Sequence, residues 1–276
     1  MNICFTKMHG LGNDFVVIDG INQQVELTSE QIRFIADRHF GVGCDQLLLV
    51  ERPVSANAEF KYRIFNADGG EVSQCGNGAR CFALFVREKE LSQSDEIVVD
   101  TGAGQLVLRF DAEDRITVNM GVPKLLPEQI PLNVSEQADL YKVVLSGAEI
   151  EFAAVSMGNP HAVIQVSDVA SAPVTSIGPR LESHELFPER TNVGFMQVLN
   201  RQHIKLRVYE RGAAETLACG SGACAAVVAG IEQGILEQNV RVELPGGTLD
   251  INWLGRGNPV LMSGPAVTVF EGKIEL

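Results

Sequence analysis

The 276-residue chain predicts an α/β protein of the α+β kind, made of two similar strand-rich halves with one buried helix apiece. Three observations point there. A Cys-Gly-x-Gly-Ala segment occurs twice, at Cys75–Ala79 and Cys219–Ala223. A mostly apolar helical pattern follows each copy. Short β-branched runs separated by Gly and Pro fill much of the remaining chain.

The repeat extends beyond the cysteines. With Phe65–Arg80 set above Tyr209–Cys224, an offset of 219 − 75 = 144, Glu71 meets Glu215, Gly76 meets Gly220 and Gly78 meets Gly222. Gly12-Asn13 matches Gly158-Asn159 at an offset of 146, and Gly104-x-Leu106 matches Gly247-x-Leu249 at 143. Val42-Gly43-x-x-Gln46 is set against Val193-Gly194-x-x-Gln197 at 151. Four matches in one order predict two copies of one design. The period is too long for a solenoid and long enough for a domain. A boundary is expected near Met120–Pro123, where a strand-like run gives way to Pro123, Pro127 and Pro131.

Strands are expected at Val16–Ile18, Leu47–Val50, Ile97–Val99, Leu106–Leu108 and Ile116–Val118, then at Val143–Leu145, Ala162–Ile164, Ile204–Tyr209, Val240–Leu244 and Val267–Val269. Pro245–Thr248 reads as a turn. Thr28-Ser29-Glu30-Gln31 has the form of a capping box and opens a helix through Ala36. Ala79–Glu90 and Ala223–Gln233 read as helices apolar on most faces, each buried in its own half.

Composition narrows the function. A net charge of −13 repels phosphate backbones, which argues against nucleic acid as partner. No apolar run reaches the roughly 18 to 20 residues of a membrane span, and the first residues lack a signal-peptide pattern. Six cysteines are too few for a disulfide scaffold, so free thiols in a reducing, cytoplasmic setting are expected. Their spacing does not match zinc-ligand pairs, and nothing asks for a metal.

The chemistry concentrates at Cys75 and Cys219. A helix start offers unpaired N–H groups and partial positive charge, and glycines let a ligand approach them. Such a turn would hold a carboxylate and lower the pKa of a thiol at its lip. Two such loops facing one carbon suit stereoinversion: one thiolate takes the α-proton, and the opposite thiol returns a proton to the other face. An isolated cysteine is more often a packing residue. A matched pair at helix starts reverses that reading, while Cys4, Cys44, Cys81 and Cys224 lack the context.

Asn66-x-Asp68-Gly69 with Cys75–Arg80 resembles the signature of the diaminopimelate epimerases. Supporting segments run along nearly the whole chain: Lys7–Phe15, Gly41–Gln46, Gly158–His161, Arg190–Val193, Tyr209–Gly212 and Ala218–Gly222. The resemblance implies two pseudo-symmetric, barrel-like domains, each around a central helix. Residues 1–119 with 265–276 would form the first domain and 120–264 the second. It implies interconversion of L,L- and meso-diaminopimelate without pyridoxal phosphate or another cofactor, in lysine and peptidoglycan precursor synthesis, by a cytoplasmic homodimer. Cys75 and Cys219 would be the catalytic pair. Gly76, Asn77, Gly220 and Ser221 would hold the reacting carboxylate, and Asn13, Gln46, Asn66, Asn159, Asn192, Glu210 and Arg211 would contact substrate. His161 and Glu210 are expected to assist proton transfer at the two thiols.

Taken singly, these residues have simpler uses. Arg211 could be a solvated charge, and Asn13, Asn159 and Asn192 could be turn residues. The family pattern usually has Ser at Gly70 and Gly at Ala214; Ala214 would strain its loop if the backbone needs a positive φ. Rival readings are a proline or hydroxyproline racemase, a thiol redox protein and a non-catalytic binding module. The absence of a Cys-x-x-Cys arrangement weighs against the redox protein.

Overall fold

The computed structural model describes residues 1–73, 75–111, 113, 115–145 and 147–276. It contains two units, Met1–Asn119 with Ser263–Leu276, and Met120–Met262. In the first unit the order is β1 (Asn2–Gly10), β2 (Asn13–Asp19), α1 (Ser29–Ala36), β3 (Gln46–Glu51), β4 (Phe60–Asn66), β5 (Glu71–Val72), α2 (Gly76–Glu88), β6 (Glu96–Thr101), β7 (Gly104–Phe110) and β8 (Ile116–Asn119). In the second it is β9 (Tyr141–Leu145), β10 (Ala148–Ser156), β11 (Pro160–Gln165), α3 (Val174–Glu182), β12 (Asn192–Asn200), β13 (His203–Glu210), β14 (Ala214–Thr216), α4 (Gly220–Glu232), β15 (Asn239–Leu244) and β16 (Gly247–Trp253). Strand β17 (Val260–Gly264) crosses the boundary, and β18 (Val267–Glu275) completes the first unit.

Strand pairing makes the duplication explicit. β1–β2 is antiparallel, β2–β3 parallel, β3–β4 and β4–β5 antiparallel, β4–β6 parallel and β6–β7 antiparallel. The run β10–β11, β11–β12, β12–β13, β13–β14, β13–β15 and β15–β16 repeats that sequence of directions. β18 pairs with β1 as β9 pairs with β10. The C-terminal strand thus supplies in the first unit what β9 supplies in the second.

One repeat match is corrected by the register. Phe15 lies opposite Gln46, and His161 lies opposite Asn192. Both steps have the offset 146 (161 − 15 and 192 − 46), so the partner of Gln46 is Asn192, not Gln197. Gly43 sits in the loop before β3 at φ 80°, whereas Gly194 is inside β12, so that match was coincidence. The hairpin match holds: Thr101 faces Gly104 and Leu244 faces Gly247, with both glycines at positive φ.

The parallel strands β2 and β3 carry continuous apolar runs because both their faces are buried. Phe15, Val16, Val17, Ile18, Leu47 and Leu48 have no exposure. α2 packs on one side, touching β1, β2, β3, β7, β8 and β18, so strands from both ends of the run surround it. α1 covers the other side with Ile32 and Ile35, against Val16, Ile18, Leu47 and Leu49. Its capping box forms as expected, with Thr28 and Gln31 each satisfying the other's backbone N–H. In the second unit α4 is the inner helix, and nearly every residue from Gly220 to Gly230 is buried. α3 is the outer one, placing Val174 and Leu181 in a cluster with Phe152, Phe187 and Phe195. No sequence signal marks α3, because its N-cap is Pro173 without a side-chain cap bond and it carries Pro179 inside.

Candidate active site

Each cysteine is placed by the same construction. A short hairpin precedes it, β4–β5 in one unit and β13–β14 in the other. Arg63 grips Glu71 with a two-pronged contact of 2.8 Å per prong, and Arg207 grips Glu215 at 2.6 and 2.9 Å. These forked pairs are themselves duplicated at the offset of 144 (207 − 63), which explains the repeated glutamates. The arginines were missed in the sequence, although the same offset would have found them. From each hairpin the chain enters the inner helix with the cysteine as N-cap, extended at φ −147° for Cys75 and −116° for Cys219. The first intrahelical bonds run from Ala79 N to Cys75 O and from Ala223 N to Cys219 O. The N–H groups of the two preceding glycine turns therefore have no partner of their own in the helix ladder. Gly78 admits Tyr62, since a Cβ there would lie 2.9 Å from the tyrosine oxygen. Gly222 admits Cys219 itself, whose sulfur would be 3.2 Å from such a Cβ.

In the first unit Cys75 is half-buried. Its thiol donates to Asn13 Oδ1 at 3.8 Å, and Asn77 Nδ2 donates to the same oxygen at 3.2 Å. Tyr62 donates its hydroxyl to the Cys75 carbonyl at 3.2 Å. Gln46 and Asn66, paired across β3 and β4, join side chains at 2.9 Å. Thus Cys75, Gly76, Asn77 and Asn13 come together directly, with Gln46–Asn66 as a second polar pair at the end of the neighbouring strands.

In the second unit Cys219 is buried, at 3% exposure. Its sulfur lies 3.6 Å from Ser221 Oγ, which accepts from Asn159 Nδ2 at 3.5 Å. Asn159 Oδ1 in turn meets His161 Nε2 at 3.1 Å. Asn192 spends both ends of its amide on backbone, donating to Pro160 O and accepting from Arg211 N, each at 3.0 Å. It thereby fixes the turn that carries Arg211, whose exposed guanidinium donates to Glu189 O. Glu182, 3% exposed, braces the same turn by accepting from Gly212 N and pairing with Arg190. Thr216 donates to Glu210 Oε1 and orients that carboxylate. Thr216 and Glu182 also escaped the sequence reading, for no local pattern marks them.

A family model described as diaminopimelate epimerase matches residues 5–126 and again residues 153–269. The chain is 56% identical over 276 residues to a diaminopimelate epimerase of Teredinibacter turnerae, and 57% over 278 residues to one of Thioalkalivibrio sulfidiphilus, with full coverage on both sides. The chain belongs to the diaminopimelate epimerase family. Among solved structures, a PhzF-family protein of Bacillus anthracis superposes with a TM-score of 0.68 at 16% identity, covering 100% of both chains. A probable proline racemase of Agrobacterium radiobacter does so at 0.71 and 15%, covering 99% of this chain and 93% of its own. These two share the fold, the pseudo-symmetric α+β architecture expected from the sequence.

The electrostatics of this epimerase-family chain depart from expectation at one thiol. A helix N-terminus was expected to lower the pKa of each cysteine. Burial instead pushes the Cys219 thiol well above its ordinary value, and the neighbouring Glu210 carboxylate adds to the shift. Ser221 and the Gly222 amide pull the other way and lose. Burial, with the charge of Arg211, lowers the pKa of His161 to about 3, so its imidazole is neutral. Both expected assistants, His161 and Glu210, lie in the second unit; Glu210 acts on Cys219, and His161 bonds to Asn159. Ala214, where the family pattern has Gly, does sit at a positive φ of 59°. At Gly70 an added Cβ would come within 3.0 Å of Asp68 Oδ1, the atom that already accepts from the Gly70 N–H.

Proposed function

We propose that this chain interconverts L,L- and meso-diaminopimelate without a cofactor, using Cys75 and Cys219 as the acid/base pair. The observation that carries the reading is the duplicated helix start, a cysteine N-cap before Gly-x-Gly in each half of a chain that the family model matches twice. The backbone N–H groups of Gly76–Asn77 and Gly220–Ser221 bind the carboxylate at the reacting carbon and stabilise the charge that grows on it as the proton leaves. Asn13, Gln46, Asn66, Asn159, Asn192, Glu210 and Arg211 fix the rest of the substrate. The exposed Arg211 fork suits the distal carboxylate.

In one direction the Cys75 thiolate removes the α-proton, and Cys219 donates its own to the opposite face. The raised pKa of Cys219 supports its starting as the thiol in that direction. Afterwards Cys75 holds the abstracted proton and Cys219 is a thiolate; the reverse direction exchanges the roles. Glu210 accepts from the Cys219 S–H and holds the thiol proton, and neutral His161 keeps Asn159 in place. The two units serve as the two domains of a cytoplasmic homodimer that makes a precursor of lysine and peptidoglycan. No helix among the described residues is long and apolar enough to cross a membrane.

A substrate panel tests this reading. With reductant and no added cofactor, L,L-diaminopimelate is expected to epimerise, while L-proline and trans-4-hydroxy-L-proline are not. Turnover of the imino acids in place of diaminopimelate would move the chain to the racemases.

A further inference from the structure

Arg80 has no exposure and takes no part in the proposed proton transfers. Its Nη2 donates to Asn77 Oδ1 at 3.0 Å. Asn77 Nδ2 donates to Asn13 Oδ1 at 3.2 Å, and Asn13 Nδ2 donates to Asp45 Oδ2 at 3.0 Å. Two side-chain amides thus lie in series between a guanidinium and a carboxylate. A guanidinium only donates and a carboxylate only accepts, whereas an amide does both and can be turned either way. With those two ends, the series is satisfied in one direction alone. Both ends are anchored. Arg80 also donates to Pro265 O at 3.1 Å and Gly76 O at 3.3 Å. Asp45 accepts from Arg38 at 2.7 Å and from Asp14 N at 3.1 Å. β1 closes over the series so tightly that a Cβ on Gly10 would stand 3.1 Å from Arg80 Nη2 and 3.2 Å from Asn77 O.

We propose that Arg80 and Asp45 are positioning residues that set the direction of this relay, so that Asn13 turns its oxygen, and not its NH2 group, toward the Cys75 thiol. The second unit lacks both ends. At the offset of 144 Arg80 becomes Cys224, and at 146 Asp45 becomes Thr191. There the corresponding bond runs the other way, from Asn159 to Ser221. The relay belongs to Cys75 alone and makes the two half-sites chemically unequal. An acceptor beside Cys75 favours the thiol, and a reversed Asn13 would favour the thiolate. The inference rests on the assignment of Cys75 as an acid/base group, but its test does not depend on which substrate is used.

The test is the pH dependence of alkylation by iodoacetamide, read for each cysteine by peptide mass. Among the described residues, Tyr62 on β4 and Cys81 on α2 are titratable groups that act on Cys75, Arg80 on α2 bonds to the Gly76 carbonyl beside it, and Asp45 is reached through Asn13. Asp45→Asn gives Asn13 a neighbour that can donate as well as accept. The Cys75 profile is expected to move to lower pH by about half a unit, roughly a threefold gain in rate below the midpoint. The Cys219 profile should not move. Asn13→Ala cuts the relay, so adding Asp45→Asn in that background should do nothing more. The same shift persisting there would mean a through-space charge effect and would overturn the proposal, as would no shift in Asp45→Asn alone.

Discussion

His161 is fully buried with Nδ1 lacking a hydrogen-bond partner among the described residues, and this has a measurable cost. Its pKa is about 3 in the fold and near 6.5 in the unfolded chain. Between those values the unfolded state binds a proton that the folded state does not, so stability falls as pH drops through this window and is unaffected above it. His161→Gln should abolish that share, about 2 kcal/mol between pH 6.5 and 5, relative to the parent protein. Urea titrations at pH 7 and 5 would show it, and equal losses in the two proteins would contradict it. Ala214 gives a second prediction at the same scale. At φ 59° an alanine is strained by about 1 kcal/mol, partly offset in a glycine by the freer unfolded chain. Ala214→Gly should therefore raise the melting temperature by a few degrees, and a lower value would show that the site tolerates Cβ. Single residues were only partly legible in the sequence. The cysteines stood out because they repeat; Thr216 and Glu182 act through bonds that no pattern announces.

The hairpins before the cysteines set where each thiol enters its helix. Each is held by one forked Arg–Glu pair, and the second is only partly exposed, at 24% and 25% for Arg207 and Glu215. Glu215→Gln should cost at most about 1 kcal/mol in stability, as expected for such pairs. It should cost activity more, since the turn to Cys219 loses its brace; several-fold in kcat with KM little changed is the expected split. Full activity in Glu215→Gln would make the pair purely structural. The inner helices were legible from their apolar patterns, and they begin at Gly76 and Gly220, three residues before the expected starts. The expected Thr28 helix formed because its cap and its apolar face agree. α3 was not legible, because tertiary packing of Val174 and Leu181 overrides a Pro start and an internal Pro. β1 was passed over because Lys7 and His9 interrupt its alternation. Lys7 is nonetheless buried, where it pairs with Asp14 at 2.5 Å and bonds to Gly43 O. Burial works against the Asp14 carboxylate, but the hydrogen bonds from Arg38 and Lys7 outweigh it and hold its pKa far below the carboxylate range.

The whole molecule is one design used twice and then made unequal. Strand directions repeat element by element, yet Cys75 faces an asparagine relay while Cys219 faces Glu210 and Ser221. The sequence revealed the duplication through constant offsets, and only strand register could expose the false match at Gln197. The inequality was only partly legible: Arg80 and Cys224, like Asp45 and Thr191, differ at matching positions, but that Arg80 and Asp45 end one relay shows only in the hydrogen bonds. Duplication is what a two-base reaction asks for, since it places two thiols of one kind whose roles as acid and base exchange with direction. In the proposed reaction both thiols act on one α-carbon. The direct measurement follows deuterium entry at the α-carbon of L,L-diaminopimelate in D2O, for the parent protein and for Cys75→Ser and Cys219→Ser. Exchange with inversion is expected in the parent, and a severe loss of inversion in both variants. Inversion at near-parent rates in either variant would contradict it.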